Sequence, residues 1–217
     1  MAASPTLRGA VFIATSMDGF IANPDGGIAF LEADAPATPM PVDDADELGY
    51  VGFTAGVAAM LLGRKTFETV SGFVRAGVAP AWPYLMPVVV LTTTLSEVPS
   101  HLGDANVAFA SGDLAAVVRD IGAKHGGDPA KPLLYIDGGA VVQACLAAGL
   151  VDEMTITTVP RMLFRGVRLF DNADSHTPAT THDGTGQAWA LVRAKVDAAS
   201  GHTCVKYARK APSAPTA

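Results

Sequence analysis

Three junctions along the chain combine residue types that can do chemistry: FIATSMDGFIA (12–22), LLGRKTFE (61–68) and LLYIDGGAVVQACLAAGLVDE (133–153). Each is an apolar, strand-like run that closes on small or hydroxyl residues. In the second, Gly63 precedes Arg64, Lys65 and Thr66, which places two cations and a hydroxyl at a helix start. Arg64 can fork onto a phosphate, Lys65 adds a point charge, and Thr66 donates from the first turn. The alternative is a pair of solvated cations opening a surface helix. In a chain with only 15 Lys and Arg, two of them at one glycine-led start favour an anion site. In the third junction, Gly138-Gly139 carries no side chains, so its backbone can approach a pyrophosphate while the following helix offers unpaired N–H groups. The same pair also suits a tight turn that holds nothing. At the end of the first run, Ala14 leaves room for a flat ring, and Ser16, Asp18 and Gly19 begin a flexible loop. Asp18 can orient a substrate or, once desolvated, hold a proton. Asp-Gly is equally a common turn. Thr92 and Thr93 end a fourth apolar run, where hydroxyls can meet a ribose or its phosphate, although threonine is also an ordinary strand residue.

Other chemistries find little support. The histidines at 101, 125, 176, 182 and 202 are scattered without ligand spacing, so no metal is assigned. There is no nucleophile elbow, P-loop or GxGxxG fingerprint. Asp43, Asp44, Asp46 and Glu47 read as a solvated loop and capping cluster. Cys145 and Cys204 sit inside apolar runs and read as core thiols, with no disulfide framework. A net charge of −6 and a pI near 5.2 argue against nucleic acid as a partner, because phosphate backbones are gripped by clustered cations. A small phosphate-bearing molecule needs only one local basic spot. Ser16 and Asp18 interrupt the only early apolar run, so no signal peptide is expected, and no stretch approaches the length that crosses a bilayer. A cytoplasmic protein, reduced and not bound to membrane, is expected.

The elements that must position these residues follow from period and punctuation. Residues 9–15 and 87–94 read as buried strands, as do Ala59–Leu62, Leu133–Ile136 and Met154–Val159. A loop rich in turn residues, with Pro36, Pro39 and Pro41, follows the first strand, and Asp43 or Asp44 can cap a helix across roughly 45–58. A helix starts at Arg64 and runs to about Val70. Asp113 caps another, with Leu114, Val117, Val118 and Ile121 on one face. Ala140–Ala148 is a helix stopped by Gly149. Two last strands near 187–197 and 202–209 pair around Ser200-Gly201. The alternation predicts an α/β fold: a mixed, mostly parallel sheet with helices on both faces and an antiparallel C-terminal strand pair. One domain over 1–210 is expected, with 211–217 a disordered tail.

Taken in order, FIATSMDGFIA, LLGRKTFE, VVVLTTT, YIDGGAVVQACL and LVDEMTITTVPRMLFRGVRLF resemble the dihydrofolate reductase-like superfamily, in the branch similar to the C-terminal reductase domain of the bacterial riboflavin-biosynthesis enzyme. The match runs from about residue 8 to 209. It implies a three-layer α/β/α fold that binds NADPH and transfers hydride from the nicotinamide to a small heterocycle or other acceptor. By position, Ala14 would touch the nicotinamide, and Ser16, Asp18 and Gly19 would border substrate, with Ser16 and Asp18 as the catalytic candidates. Gly63, Arg64, Lys65 and Thr66 would hold the 2′-phosphate and pyrophosphate, with Thr92 and Thr93 beside the adenosine. Ile136, Gly138, Gly139, Ala140 and Val141 would cradle the nicotinamide half and the diphosphate. Relatives pair through their C-terminal strands, so a homodimer is expected. Some features depart from the pattern. Phe30 stands near the tryptophan position of folate-specific members with no unambiguous acid after it, which argues against dihydrofolate. No His-x-Glu or Pro-Cys-x-x-Cys deaminase segment is present, and Leu163-Phe164-Arg165-Gly166 replaces a glycine-rich turn. The expectation is an NADPH-dependent reductase. The rivals are a stand-alone pyrimidinone reductase of riboflavin synthesis and a dimeric nucleotide-binding module without turnover.

Overall fold

The computed structural model describes residues 7–31, 46–170 and 187–210. The first apolar run forms β1 (Arg8–Ser16), followed by a short β2 (Phe20–Ala22). Then come α1 (Tyr50–Ala55), β3 (Val57–Gly63), α2 (Arg64–Arg75), β4 (Val88–Leu91), β5 (Val107–Ala110) and α3 (Leu114–His125). The chain continues through β6 (Leu133–Asp137), α4 (Gly139–Ala147), β7 (Glu153–Val159), β8 (Val167–Arg168), β9 (Trp189–Asp197) and β10 (His202–Arg209). Eight strands make one sheet in the order β5-β4-β3-β6-β1-β7-β10-β9, while β2 and β8 form a separate ribbon. Every pairing from β5 across to β7 is parallel, and only β10 and β9 run against their neighbours. The expected mixed sheet with an antiparallel C-terminal pair is the observed one.

Parallel strands need both faces covered, and two apolar clusters do this. Phe53 of α1 and Phe67 of α2 pack on one face with Ala10, Met60, Leu62, Val88, Val90 and Tyr135. Val117 and Ile121 of α3, with Val141, Val142 and Cys145 of α4, pack on the other with Val11, Leu61, Leu134 and Ile136. Each Val, Leu, Ile, Phe or Met among them, when fully buried, contributes about 1.5–3 kcal/mol. Burial pushes the Cys145 thiol up to about 12, in keeping with a core residue. No helix among the described residues is long and apolar enough to cross a membrane.

Some expected boundaries move. Asp43 and Asp44 lie outside the described residues, as do Pro36, Pro39, Pro41 and the 211–217 tail. The described part of the expected 45–58 helix is helical only over Tyr50–Ala55, because Gly56 folds its N–H back onto Phe53 and Val57 enters β3. The strand expected over 87–94 stops at Leu91 because the Thr92 hydroxyl accepts from the Thr94 and Leu95 amides, at 3.1 and 3.3 Å, and turns the chain. The short strands β2, β5 and β8 escape period-based reading. Ion pairs fix the approach to α1: Arg193 of β9 binds Asp46 at 2.8 Å and Lys206 of β10 bridges Glu47 and Glu153.

Candidate active site at the carboxyl ends of the central strands

β3 and β6 are parallel neighbours with Leu62 opposite Asp137, so the turns at Gly63 and Gly138 leave the sheet side by side. Gly138 has φ 90° and ψ 126°, a region open essentially to glycine alone. A Cβ on it would lie 2.5 Å from Thr66 Oγ1 and 3.5 Å from the Gly63 nitrogen. Gly139 is pressed by Ile21 and Val167 of the β2–β8 ribbon, which would stand 2.9 and 3.1 Å from its Cβ. Two glycines therefore let three pieces of chain meet closely at one end of the sheet. Neither α2 nor α4 has a side-chain N-cap, whereas α3 is closed by Asp113, whose carboxylate accepts from Ala116 N–H at 2.8 Å. Two uncapped helix starts thus converge, each with unfilled amides and the positive end of its dipole.

The other predicted binding residues fare unevenly. Arg64 turns one nitrogen, Nη1, onto both oxygens of Glu68 at 2.7 Å each, while remaining 40% exposed. Lys65 is exposed at the same helix start, and Ala140 is exposed at the start of α4. Thr93 is exposed too, but Thr92 is buried with its hydroxyl oxygen committed to the local turn, so a ribose contact is disfavoured. Ile136 and Val141 point into the α3–α4 core, which leaves only their backbones for a ligand.

At the end of β1, Ser16 is buried, donates to Asp18 Oδ1 at 2.6 Å and accepts from Phe20 N–H at 3.0 Å. The Asp18 carboxylate also accepts from Leu163 N–H at 3.1 Å and Phe164 N–H at 2.8 Å. Desolvation pushes its pKa up, but the Ser16 hydroxyl and the Phe164 and Leu163 amides outweigh this and bring it to about 2. In this arrangement Asp18 is an ionised clasp joining two loops, a poor place to store a proton. Met17 N–H to Arg161 O at 2.7 Å and Leu169 N–H to Gly19 O at 3.0 Å complete the seam. The clasp presents Phe164 with φ 60° and 77% exposed.

The carboxyl that does fit proton storage escaped the sequence reading. Asp137 ends β6 directly before Gly138, and by strand alternation it shares a face with Tyr135, whose partner on β1 is Ala10 and whose hydroxyl donates to the Phe12 carbonyl at 3.0 Å. Phe53 stacks on Phe12 and Tyr50 meets it edge to face, with ring centroids 5.0 and 5.8 Å away, and Tyr84 extends a second aromatic group through Trp82 to Phe67. Although part of Asp137 reaches solvent, desolvation lifts its carboxyl to about 6 against the pull of the Gly138 N–H. Burial first, and then the Asp137 charge, push Tyr50, Tyr84 and Tyr135 up, which places all three in its field. The available signal was an acid between a buried strand and a Gly-Gly turn. An apolar cavity of about 380 Å³ on the α3–α4 face is lined by Met17, Met154, Ile156, Trp189 and Tyr207, and by none of Arg64, Gly138 or Asp137.

The mixed sheet with its antiparallel end, flanked by helices on both faces, is a dihydrofolate reductase-like α/β fold. Residues 9–194 match the RibD C-terminal domain model, and the chain belongs to that family. It is 33% identical to a candidate riboflavin biosynthesis protein from Shewanella sp. PV-4, covering 94% of this chain and 100% of that one with a TM-score of 0.74. Two more distant structures share the fold. One is Enterococcus faecalis dihydrofolate reductase complexed with NADP(H) and RAB-propyl, at 16% identity, TM-score 0.55 and coverage of 94% and 97%. The other is a Thermotoga maritima diaminohydroxyphosphoribosylaminopyrimidine deaminase/5-amino-6-(5-phosphoribosylamino)uracil reductase, at 14%, TM-score 0.61 and coverage of 94% and 57%.

Proposed function

We propose that the chain is an NADPH-dependent reductase acting on a small, flat heterocyclic acceptor. The observation that carries this reading is the meeting of Gly138 with the Gly63–Thr66 helix start, which focuses two uncapped helices on one crevice. That donor set fits a dinucleotide: the starts of α2 and α4 hold the diphosphate, and Arg64 and Lys65 meet a 2′-phosphate. A nicotinamide cofactor, when bound, supplies the hydride. Ala14 leaves space for its ring beside Phe12. The edge-to-face pair of Tyr50 and Phe12 offers apolar surface to a planar acceptor, and Asp137, protonated below its raised pKa, can deliver the proton to the atom next to the carbon that takes the hydride. Ser16 and Asp18 hold the neighbouring loops in place. The structural likeness to an NADP(H) complex of dihydrofolate reductase supports the cofactor. Titration with NADPH and NADH, for wild type and Arg64→Ala, tests the reading. Micromolar binding of NADPH, weakened selectively by Arg64→Ala, is expected, and no binding of either nucleotide would refute it.

Family membership and the Shewanella relative favour a specific version, reduction of the riboflavin-pathway pyrimidinone ribosyl phosphate without an attached deaminase. Turnover of that compound separates it from a general reductase. NADPH bound but not consumed across a panel of acceptors would indicate a non-catalytic binding module. We also propose a homodimer through the C-terminal strands, supported by Leu191, Val192 and Val196 on edge strand β9, which are 63%, 51% and 69% exposed. Two unpaired thiols suit the cytoplasm.

A further inference from the structure

We infer that Glu68 sets how strongly the site prefers a nucleotide bearing a 2′-phosphate, an inference that rests on the dinucleotide reading of the crevice. Arg64 and Glu68 are one helical turn apart on α2, and both Glu68 oxygens take the same Arg64 nitrogen at 2.7 Å. The pair stands beside the uncapped start of α2 and next to Lys65, where an incoming phosphate would be drawn. Two opposing effects follow. By pinning the guanidinium, Glu68 spares the phosphate some of the cost of ordering Arg64. The pair is 40% and 45% exposed, and such helical pairs are worth only about a twofold change in affinity. Against this, a phosphate bound to the remaining Arg64 nitrogens comes one guanidinium away from a carboxylate of like charge. At a protein surface that repulsion weakens binding by roughly three- to tenfold, even after screening by salt. Repulsion exceeds pinning, so Glu68 acts as the resident counter-ion of Arg64 and restrains the preference for the phosphorylated nucleotide. A nucleotide lacking the 2′-phosphate does not meet it.

The test is equilibrium binding of adenosine 2′,5′-bisphosphate and adenosine 5′-phosphate to the whole protein, without turnover. Glu68→Gln is expected to tighten the bisphosphate by roughly three- to tenfold and to leave the 5′-phosphate within about twofold. Glu68→Ala should match it, which excludes an effect of the glutamine amide. Unchanged or weaker bisphosphate binding in both variants overturns the inference. The underlying reading is judged separately by Arg64→Ala, which must weaken the bisphosphate more than the 5′-phosphate. If wild type binds neither probe, the reading and the inference fail together.

Discussion

A Cβ atom on Gly138 would stand 2.5 Å from Oγ1 of Thr66, although the two residues belong to different crossovers of the sheet. That contact joins the two turns into one packed unit. Gly138→Ala adds both this overlap and an L side chain at φ 90°, so a loss of roughly 2–4 kcal/mol in stability is expected by chemical denaturation. Nucleotide binding should be lost with it. Adding Thr66→Ala should recover only the steric part, because the backbone strain remains.

Asp137 gives a pH signature of known sign. Its folded pKa, about 6, lies above the unfolded value near 3.8, so the folded state holds a proton the unfolded state has released. Stability from this group is full below about pH 4, falls as pH rises, and is lost above about 6. Asp137→Asn should therefore raise the melting temperature at pH 7, by an amount equivalent to roughly 1–3 kcal/mol, with the gain shrinking toward pH 4. If Asp137 supplies the proton, wild-type turnover declines as pH rises through about 6, and the variant loses that dependence. A flat turnover profile in wild type would assign the proton to another source.

Asp18 behaves in the opposite sense. Its pKa is lowered to about 2, so the clasp is intact above about pH 4 and loosens as pH falls toward 2. Asp18→Asn keeps one acceptor oxygen and removes the charge-assisted bonds to Leu163 and Phe164. Hydrogen exchange should then show faster exchange, by roughly tenfold, at those two amides, with the central strands unaffected. Unchanged protection would mean that the backbone bonds Met17–Arg161 and Leu169–Gly19 hold the loop without the carboxylate.

The edge strand supplies a test of assembly. Glutamate at both Val192 and Val196 places charge on the exposed apolar edge of β9 while leaving the ladder to β10 in place. Sedimentation should report a dimer for wild type at micromolar concentration and a monomer for the double variant. A wild-type monomer would end the proposal of a dimer through this edge.

The fold was legible because its determinants are local. Alternation of buried runs with 3.6-residue periods, Asp113 ahead of its helix, and glycine after the runs that end at Leu62 and Asp137 are written in neighbouring residues, and they predicted the mostly parallel sheet and its antiparallel end. The short strands β2, β5 and β8 were not, since strands of two to four residues carry too little period to read.

The site divides along the same line. The sequence by itself determined which turns lack side chains and which helix starts carry cations, because those are properties of residue type. Only the tertiary structure decided what each side chain is left to do. Thr92 turns its hydroxyl oxygen onto the chain that follows, Arg64 finds Glu68, and Asp18 meets amides some 145 residues further along. Asp137, unremarkable in the sequence, becomes the perturbed acid once folding buries it, with Tyr50, Tyr84 and Tyr135 in the field of its charge. Desolvation and hydrogen bonding depend on neighbours brought together by folding, and no local pattern encodes them.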